Sequence, residues 1–349
     1  MKDLTTIGID TAKNYIQVHG EDDRGKKVLT KRLSRANFLP YMVNLPKCLI
    51  GMEACGGSNY WARELTKLGF EVKLMSPFKV KKYVENNKND AKDAEACAEG
   101  VRKGNMTFVP IKTPVQQEIQ ATHRIRSFYV KQQVRLSNMI RGLLLELGIA
   151  IPKGKAALME KLNSLLTAED STLRPRTKAE FQGLYEDLKR SYETVEIHKC
   201  SLEKLAEEDE HCRHLLTIAG VGPITATAVV AKIGNGSEFK KGRDLSAFLG
   251  LVPKQNSSGE KIRLGGISKH GDRNLRALLI HGGRSCLKAA MKKNKSGAYE
   301  KQDPHSQWAR KLAERVGRNK TSVAIANKNA RIIVKILKSG SSFQPALAH

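Results

Sequence analysis

The chain has 349 residues, enough for two or three domains that each bury a core. Its 61 Lys and Arg against 35 Asp and Glu give a formal charge of +26, which points to a polyanionic partner, since each phosphate met by a cation releases counterions, with a merely soluble basic surface as the alternative. No apolar run approaches the roughly 20 residues that span a bilayer, and six scattered cysteines without a C-x-x-C pair exclude a zinc ribbon and a secreted disulfide framework. The N-terminus leads straight into a strand with no signal-peptide pattern, so a reducing cytosol is expected.

Residues 4–9 form an apolar run that ends at Asp10, residues 15–19 alternate as a strand does, and a turn at Asp22-Asp23-Arg24-Gly25 leads to a third strand over 28–33. Ser34 is the expected N-cap of a helix through Phe38 and Met42. A fourth strand over 48–53 ends at Glu53, Ser58 is expected to cap a helix carrying Trp61, Leu65 and Leu68, and a fifth strand over 70–75 is broken by Pro77. A helix from Asn89-Asp90 to about Lys103 follows. Three strands and then alternating helices and strands predict a mixed sheet covered by helices, not a doubly wound Rossmann fold.

From Pro114 the texture changes. Leu136, Ile140, Leu143, Leu144 and Leu147 keep helical spacing, as do Leu184, Leu188, Tyr192, Val195 and Leu202, with a polar connector containing Pro152, Gly154 and Pro175 between them. Two long amphipathic helices of this kind form either an intramolecular antiparallel hairpin or a dimerisation arm. Residues 215–228, with Gly220-Val221-Gly222 at their centre, read as helix, tight hairpin, helix. Phe248-Leu249-Gly250-Leu251-Val252-Pro253 leads into a polar loop over 254–261, and basic helices through Arg273, Arg276, Arg284, Arg310 and Arg331 finish the chain.

Four acids stand next to apolar runs: Asp10, Glu53, Asp90 and Asp93. Asp90 and Asp93 are three apart on one helix face, in a first turn whose dipole favours negative charge. With Asp10 and Glu53 at the ends of adjacent parallel strands, the four would converge at one sheet edge. Three or four carboxylates suit Mg²⁺, a hard ion with oxygen ligands, and two such ions serve phosphoryl transfer. Asp22, Asp23, Glu85 and Glu95 are discounted as turn residues or as lying on the wrong helix face. At Gly220 and Gly222 the missing Cβ atoms would let backbone N–H groups approach a phosphate; an ordinary tight turn is the alternative. Ser257-Ser258-Gly259, surrounded by Lys254, Lys261, Arg263, Lys269 and Arg273, could offer a nucleophile to a phosphate held by cations, or be a common turn. No histidine is clearly placed as its base, although His270 and His281 are near in sequence.

Together these stretches resemble the DEDD-type insertion-sequence transposases, the group of bridge-RNA-guided recombinases and pilin-gene invertases. Gly8-Ile9-Asp10-Thr11-Ala12-Lys13, Glu53-Ala54-Cys55-Gly56 and Asn89-Asp90-Ala91-Lys92-Asp93-Ala94 are similar to the family's three acidic motifs. Gly220-Val221-Gly222, the 248–253 stretch and Ser257-Ser258-Gly259 resemble its C-terminal domain. Cys55-Gly56-Gly57 departs from the Thr-Gly pair common in the second motif. The resemblance implies an α/β N-terminal ribonuclease-H-like domain of the Holliday-junction-resolvase type over 1–110. It further implies a helical coiled-coil oligomerisation region over 111–208 and a mainly α C-terminal transposase domain, with a helix-hairpin-helix-like element, over 209–349. It implies DNA strand cleavage and rejoining with Mg²⁺ (one or two ions, or Mn²⁺) on Asp10, Glu53, Asp90 and Asp93. Ser258 matches the nucleophile that becomes covalently linked to DNA, with Ser257 as the fallback. The implied partners are donor and target DNA, a bridge non-coding RNA and further copies of the chain, as a dimer or as a tetramer in synapsis, without a membrane and at the bacterial nucleoid. A metal-dependent junction resolvase and a non-catalytic nucleic-acid binder are the alternative readings.

Overall fold

Along β1 (Thr6–Thr11) the apolar Ile7 and Ile9 alternate with Gly8 and Asp10, so one strand face is fit for a core and the other is small and polar. A computed structural model describes residues 3–83, 89–103, 106, 108–169, 172–258 and 261–343. The chain divides into two compact units, Met1–Val115 and Gln116–His349.

In the first unit β1 is followed by β2 (Tyr15–Glu21), β3 (Lys27–Ser34), α1 (Arg35–Val43), β4 (Leu49–Glu53), α2 (Ser58–Lys67) and β5 (Glu71–Met75). A short α3 (Pro77–Val80), α4 (Asp90–Arg102) and the two-residue β6 (Phe108–Val109) complete it. The six strands form one sheet in the order β3-β2-β1-β4-β5-β6. β4 runs parallel to both β1 and β5, whereas β2 and β3 are antiparallel neighbours and β6 closes the far edge antiparallel to β5. This is the expected mixed sheet covered by helices. Ile7, Ile9, Ile50 and Met52 join Phe38, Met42, Trp61 and Leu65 in the core under α1 and α2.

Three details differ from the sequence expectation. β1 runs two residues past Ile9, because Asp10 and Thr11 still pair with Gln17 and Ile16. Gly57, with φ of 85°, takes the cap position of α2 assigned to Ser58; the buried Ser58 instead donates its Oγ–H to Cys55 O at 2.9 Å. The polar connector contains a helix, over Lys155–Thr167.

The second unit holds the rest of α5 (Pro114–Glu146), then α6 (Lys155–Thr167) and α7 (Pro175–Glu208). The Gly and Pro residues of the connector mark only its ends; between them Leu158, Leu162, Leu165 and Leu166 recur at helical spacing and are buried. They share a core with Ile140 and Leu144 of α5 and with Phe181 and Leu188 of α7. Ile119 meets Leu202, and Gln133 Nε2 donates to Ser191 O at 2.9 Å, so residue numbers fall on α7 as they rise on α5 and the two helices are antiparallel. α8 (Glu210–Leu216) and α9 (Pro223–Ile233) flank the glycine turn, and α10 (Gly242–Phe248) precedes a two-stranded hairpin of β7 (Pro253–Gln255) and β8 (Leu264–Ile267). α11 (Arg273–Ala290), α12 (Pro304–Val316) and α13 (Arg318–Ser339) end the unit, which is mostly helical. Among the described residues no helix is long and apolar enough to cross a membrane.

Candidate active site

Gly8 and Gly51 are register partners on the parallel strands β1 and β4. Both point to the face opposite the α1–α2 core, and α4 lies directly on them. A Cβ added at Gly8 would fall well inside 3.0 Å of Ala94 O and Ala98 N, and one at Gly51 would fall 2.7 Å from Val101 Cβ. Two glycines side by side therefore let a helix backbone rest on a sheet backbone, and the small Ala94, Cys97 and Ala98 of α4 complete the fit.

The acids follow from that seat. Asp10 and Glu53 lie two residues beyond Gly8 and Gly51, hence on the same face, at the carboxyl ends of parallel strands where ligands of open α/β sheets bind. α4 starts at that end: Asn89 Oδ1 accepts from Lys92 N at 2.9 Å, and Asp90 and Asp93 occupy the first turn. Burial, then the Asp93, Asp90 and Glu53 carboxylates, push the Asp10 carboxyl up from 3.8 to about 6. Three acids from two other elements thus lie near enough to act on Asp10. Among the described residues no three His, Cys, Asp or Glu groups stand within reach of one common ion as placed. The donor set is hard oxygen throughout, which fits a divalent cation of the Mg²⁺ class in chemistry. Cys55 stands beside the acids, its Sγ 3.2 Å from Thr11 Oγ1, with burial raising the thiol's proton affinity.

The opposite end of α4 is fixed by an ion network that sequence reasoning missed. Arg102 Nη2 lies 2.7 Å from Glu21 Oε2, and Glu21 Oε1 lies 3.3 Å from His19 Nε2, with His19 and Glu21 both 4 % exposed. The signal was present in β2, whose alternate positions Gln17, His19 and Glu21 are polar yet buried under α4.

In the second unit the serine loop is the tip of the β7–β8 hairpin. Ser257 Oγ accepts from Arg263 N at 3.2 Å and from Gln255 Nε2 at 3.1 Å. Ser258 is exposed and bridges to Lys261 through its backbone. Gly259 and Glu260 of this loop, like Glu85, lie outside the described residues. Lys254, Lys261, Arg263, Lys269 and Arg273 are all exposed around the hairpin. Arg276 is not: it is buried and donates to Leu249 O and His270 O, both at 3.0 Å, tying together the two chain segments that enter and leave the hairpin. Arg310 is likewise spent on Ala290 O and Lys301 O. Gly220, with φ of 83°, faces Gly282 of α11, where a Cβ would stand 2.7 Å from Gly282 O, whereas Gly222 borders open space at the N-cap of α9.

Residues 7–149 match the DEDD transposase type of IS110, and residues 212–299 match the transposases of the IS116/IS110/IS902 family. A probable family 20 transposase of Pseudomonas aeruginosa is 41% identical over 98% of this chain and 99% of its own length. The transposase for insertion sequence element IS1111A of Coxiella burnetii is 41% identical over 99% of this chain and 92% of its own. That for element IS1328 of Yersinia enterocolitica is 36% identical over 98% and 99%. The family acts on DNA, and its DEDD type suggests dependence on a divalent metal. An insertion-sequence transposase and DNA recombinase of the IS110 family is what this chain is, with its two matched regions carrying the acids and the serine hairpin respectively.

Proposed function

We propose that the enzyme cuts and rejoins DNA using Asp10, Glu53, Asp90 and Asp93 as a site for one or two Mg²⁺ ions, which Mn²⁺ can replace, and Ser258 as the nucleophile. The observation that carries this reading is the seat of α4 on Gly8 and Gly51, which brings the helix end bearing two acids to the strand ends bearing the other two. A divalent cation bound there supplies polarisation of the scissile phosphate and neutralises charge on the leaving oxygen.

The chain's own residues do the rest. Ser258 Oγ attacks phosphorus, the bond to the leaving strand breaks, and that strand departs with a hydroxyl; a strand hydroxyl then attacks the phosphoserine ester and returns the serine. Ser258 is favoured over Ser257 because Ser257 Oγ already accepts two hydrogen bonds within the hairpin. Lys254, Lys261, Arg263, Lys269 and Arg273 hold the phosphate nearby, and the Gly220–Gly222 turn, helix-hairpin-helix-like between α8 and α9, contacts the backbone without reading sequence.

The acids lie in one unit and the serine in the other, which suits a composite site formed only in a synaptic assembly. For function the chain is taken as three regions, 1–110 for the ribonuclease-H-like acids, 111–208 for oligomerisation and 209–349 for the serine. α5 and α7 serve as a coiled-coil arm for a dimer or tetramer; Ile125, Phe128, Val134 and Met139 of α5 are 43–57 % exposed, a costly array without a partner. A bridge RNA as guide is supported by the charge of +26 and by the family resemblance.

The test is a joining assay with purified protein, donor and target DNA, with and without a transcript of the non-coding DNA flanking the gene. The expected result is joined product only with Mg²⁺ and transcript, and none from Asp93→Asn. Product from Asp93→Asn at the wild-type rate contradicts the metal site, and transcript-independent product contradicts the guide.

A further inference from the structure

A cleft of about 800 Å³ opens between the second half of α11 and the start of α13, away from the serine hairpin in sequence. Arg284, Lys288 and Lys292 follow one another at intervals of four along α11 and just past its end, so they share one face, and Arg318 and Asn319 face them from α13. All five are exposed. Among the described residues none of Arg284, Lys288 and Arg318 makes an ion pair; Lys292 meets Glu300 at 3.0 Å. No carboxylate and no aromatic ring is among the lining residues, whose apolar members are Leu287, Ala289 and Met291.

This charge distribution is unfavourable by itself. Like charges four apart on a helix repel by a few tenths of a kcal/mol per pair. The α11 dipole favours Lys288 in the last turn, but the α13 dipole opposes Arg318 and Lys320 in a first turn with no acid and no side-chain cap. An anion in the cleft relieves both conflicts. The absence of an aromatic platform in the lining disfavours stacked single strands, which are held by base–aromatic contacts, and favours a backbone that presents only phosphates.

We propose that this cleft seats the sugar-phosphate backbone of duplex DNA, through Arg284, Lys288 and Arg318, as a sequence-independent contact. It rests on neither the acids nor Ser258, and it extends past residue 299, where the family match ends.

The test measures binding of the full chain to duplex DNA of arbitrary sequence across a salt series, in EDTA so that failure of the metal reading leaves it untouched. Arg284→Gln/Lys288→Gln/Arg318→Gln is expected to lower the slope of log K against log salt by roughly 2–3, at about 0.9 per phosphate contact, and to weaken binding by some ten- to a hundredfold near ~0.1 M salt. A charge-matched control, Arg176→Gln/Lys189→Gln/Arg190→Gln on exposed positions of α7, is expected to change the slope far less. Arg318→Gln alone, at an exposed position, is expected to remove about one unit of slope and guards against misfolding of the triple variant. Equal losses from the two triple variants, or none from the cleft variant, overturn the proposal. A loss confined to single-stranded RNA overturns the assignment to DNA.

Discussion

Gly8→Ala is the sharpest perturbation of the acid site because it touches none of the acids. The new methyl would stand well inside 3.0 Å of Ala94 O and Ala98 N, whereas ordinary contact begins near 3.4 Å. Both obstacles are helix backbone, which cannot rotate away as a side chain can, so α4 must lift or slide by about 1 Å. Overpacking of this kind costs about 1–3 kcal/mol, and for a unit of this size a melting temperature lower by roughly 5–20 °C. The effect on chemistry should be larger than the loss of fold, because a misplacement near 1 Å of catalytic groups costs about a hundredfold in rate. The assay is single-turnover strand cleavage with the flanking transcript present, at a temperature where circular dichroism shows the variant folded, with Mg²⁺ titrated. Gly20→Ala is the control: its methyl would meet Leu4 Cδ1 at 2.6 Å and Leu29 Cβ at 2.9 Å, in packing that does not involve α4, so it should lower the melting temperature yet keep the cleavage rate. A folded Gly8→Ala protein with the wild-type rate and Mg²⁺ dependence refutes the reasoning.

Other predictions follow from the charges. Without metal, Asp10 binds its proton more tightly folded than unfolded, so stability should fall as pH rises from about 4 to about 6; Asp10→Asn should remove that fall and stabilise the metal-free protein at pH 8 by on the order of 1–2 kcal/mol, as read by urea denaturation. His123 of α5 has the opposite sense: burial and the Arg126 charge lower it to about 4 while its Nε2 meets Thr227 Oγ1 at 3.0 Å. The unfolded chain therefore takes up a proton first, and stability should drop by about 2–3 kcal/mol as pH falls from about 6.5 to about 4, a drop that His123→Gln should lack. Arg102→Leu strands the buried Glu21 carboxylate and should cost roughly 2–4 kcal/mol, while Glu21→Gln added to it should recover part of that loss, a recovery measurable by denaturant titration in a double-mutant cycle.

Much of the first unit was legible because its local signals agree. The apolar run of β1, the period-two alternation of β2, the Ser34 cap of α1, with Ser34 Oγ accepting from Asn37 N at 3.4 Å, and the start of α4 at Asn89-Asp90 all match the residues that specify them. The convergence of the four acids was legible only as a placement of strand ends and a helix start. What joins them, the glycine pair under α4, depends on the register between strands distant in sequence, which no local pattern carries. The cap of α2 was misassigned because Ser58 is a strong capping residue by type, whereas Gly57 alone accepts the left-handed backbone at that turn. The connector helix α6 was hidden by Pro152, Gly154 and Pro175, which break the chain at its ends and leave the leucine spacing between them intact. The basic helices of the second unit were visible as charge, but only the packing separates Arg276 and Arg310, buried on carbonyl groups, from Arg284 and Arg318, which face a cleft.

The most direct measurement on the central claim is to incubate the protein with end-labelled donor DNA, the flanking transcript and Mg²⁺, denature it, and look for a protein–DNA species that survives. The account predicts a covalent adduct with the wild type and with Ser257→Ala, and none with Ser258→Ala. An adduct that persists in Ser258→Ala contradicts the nucleophile, and efficient cleavage by the wild type with no adduct at any time identifies water as the attacking group and makes the enzyme a metal-dependent, resolvase-like nuclease instead.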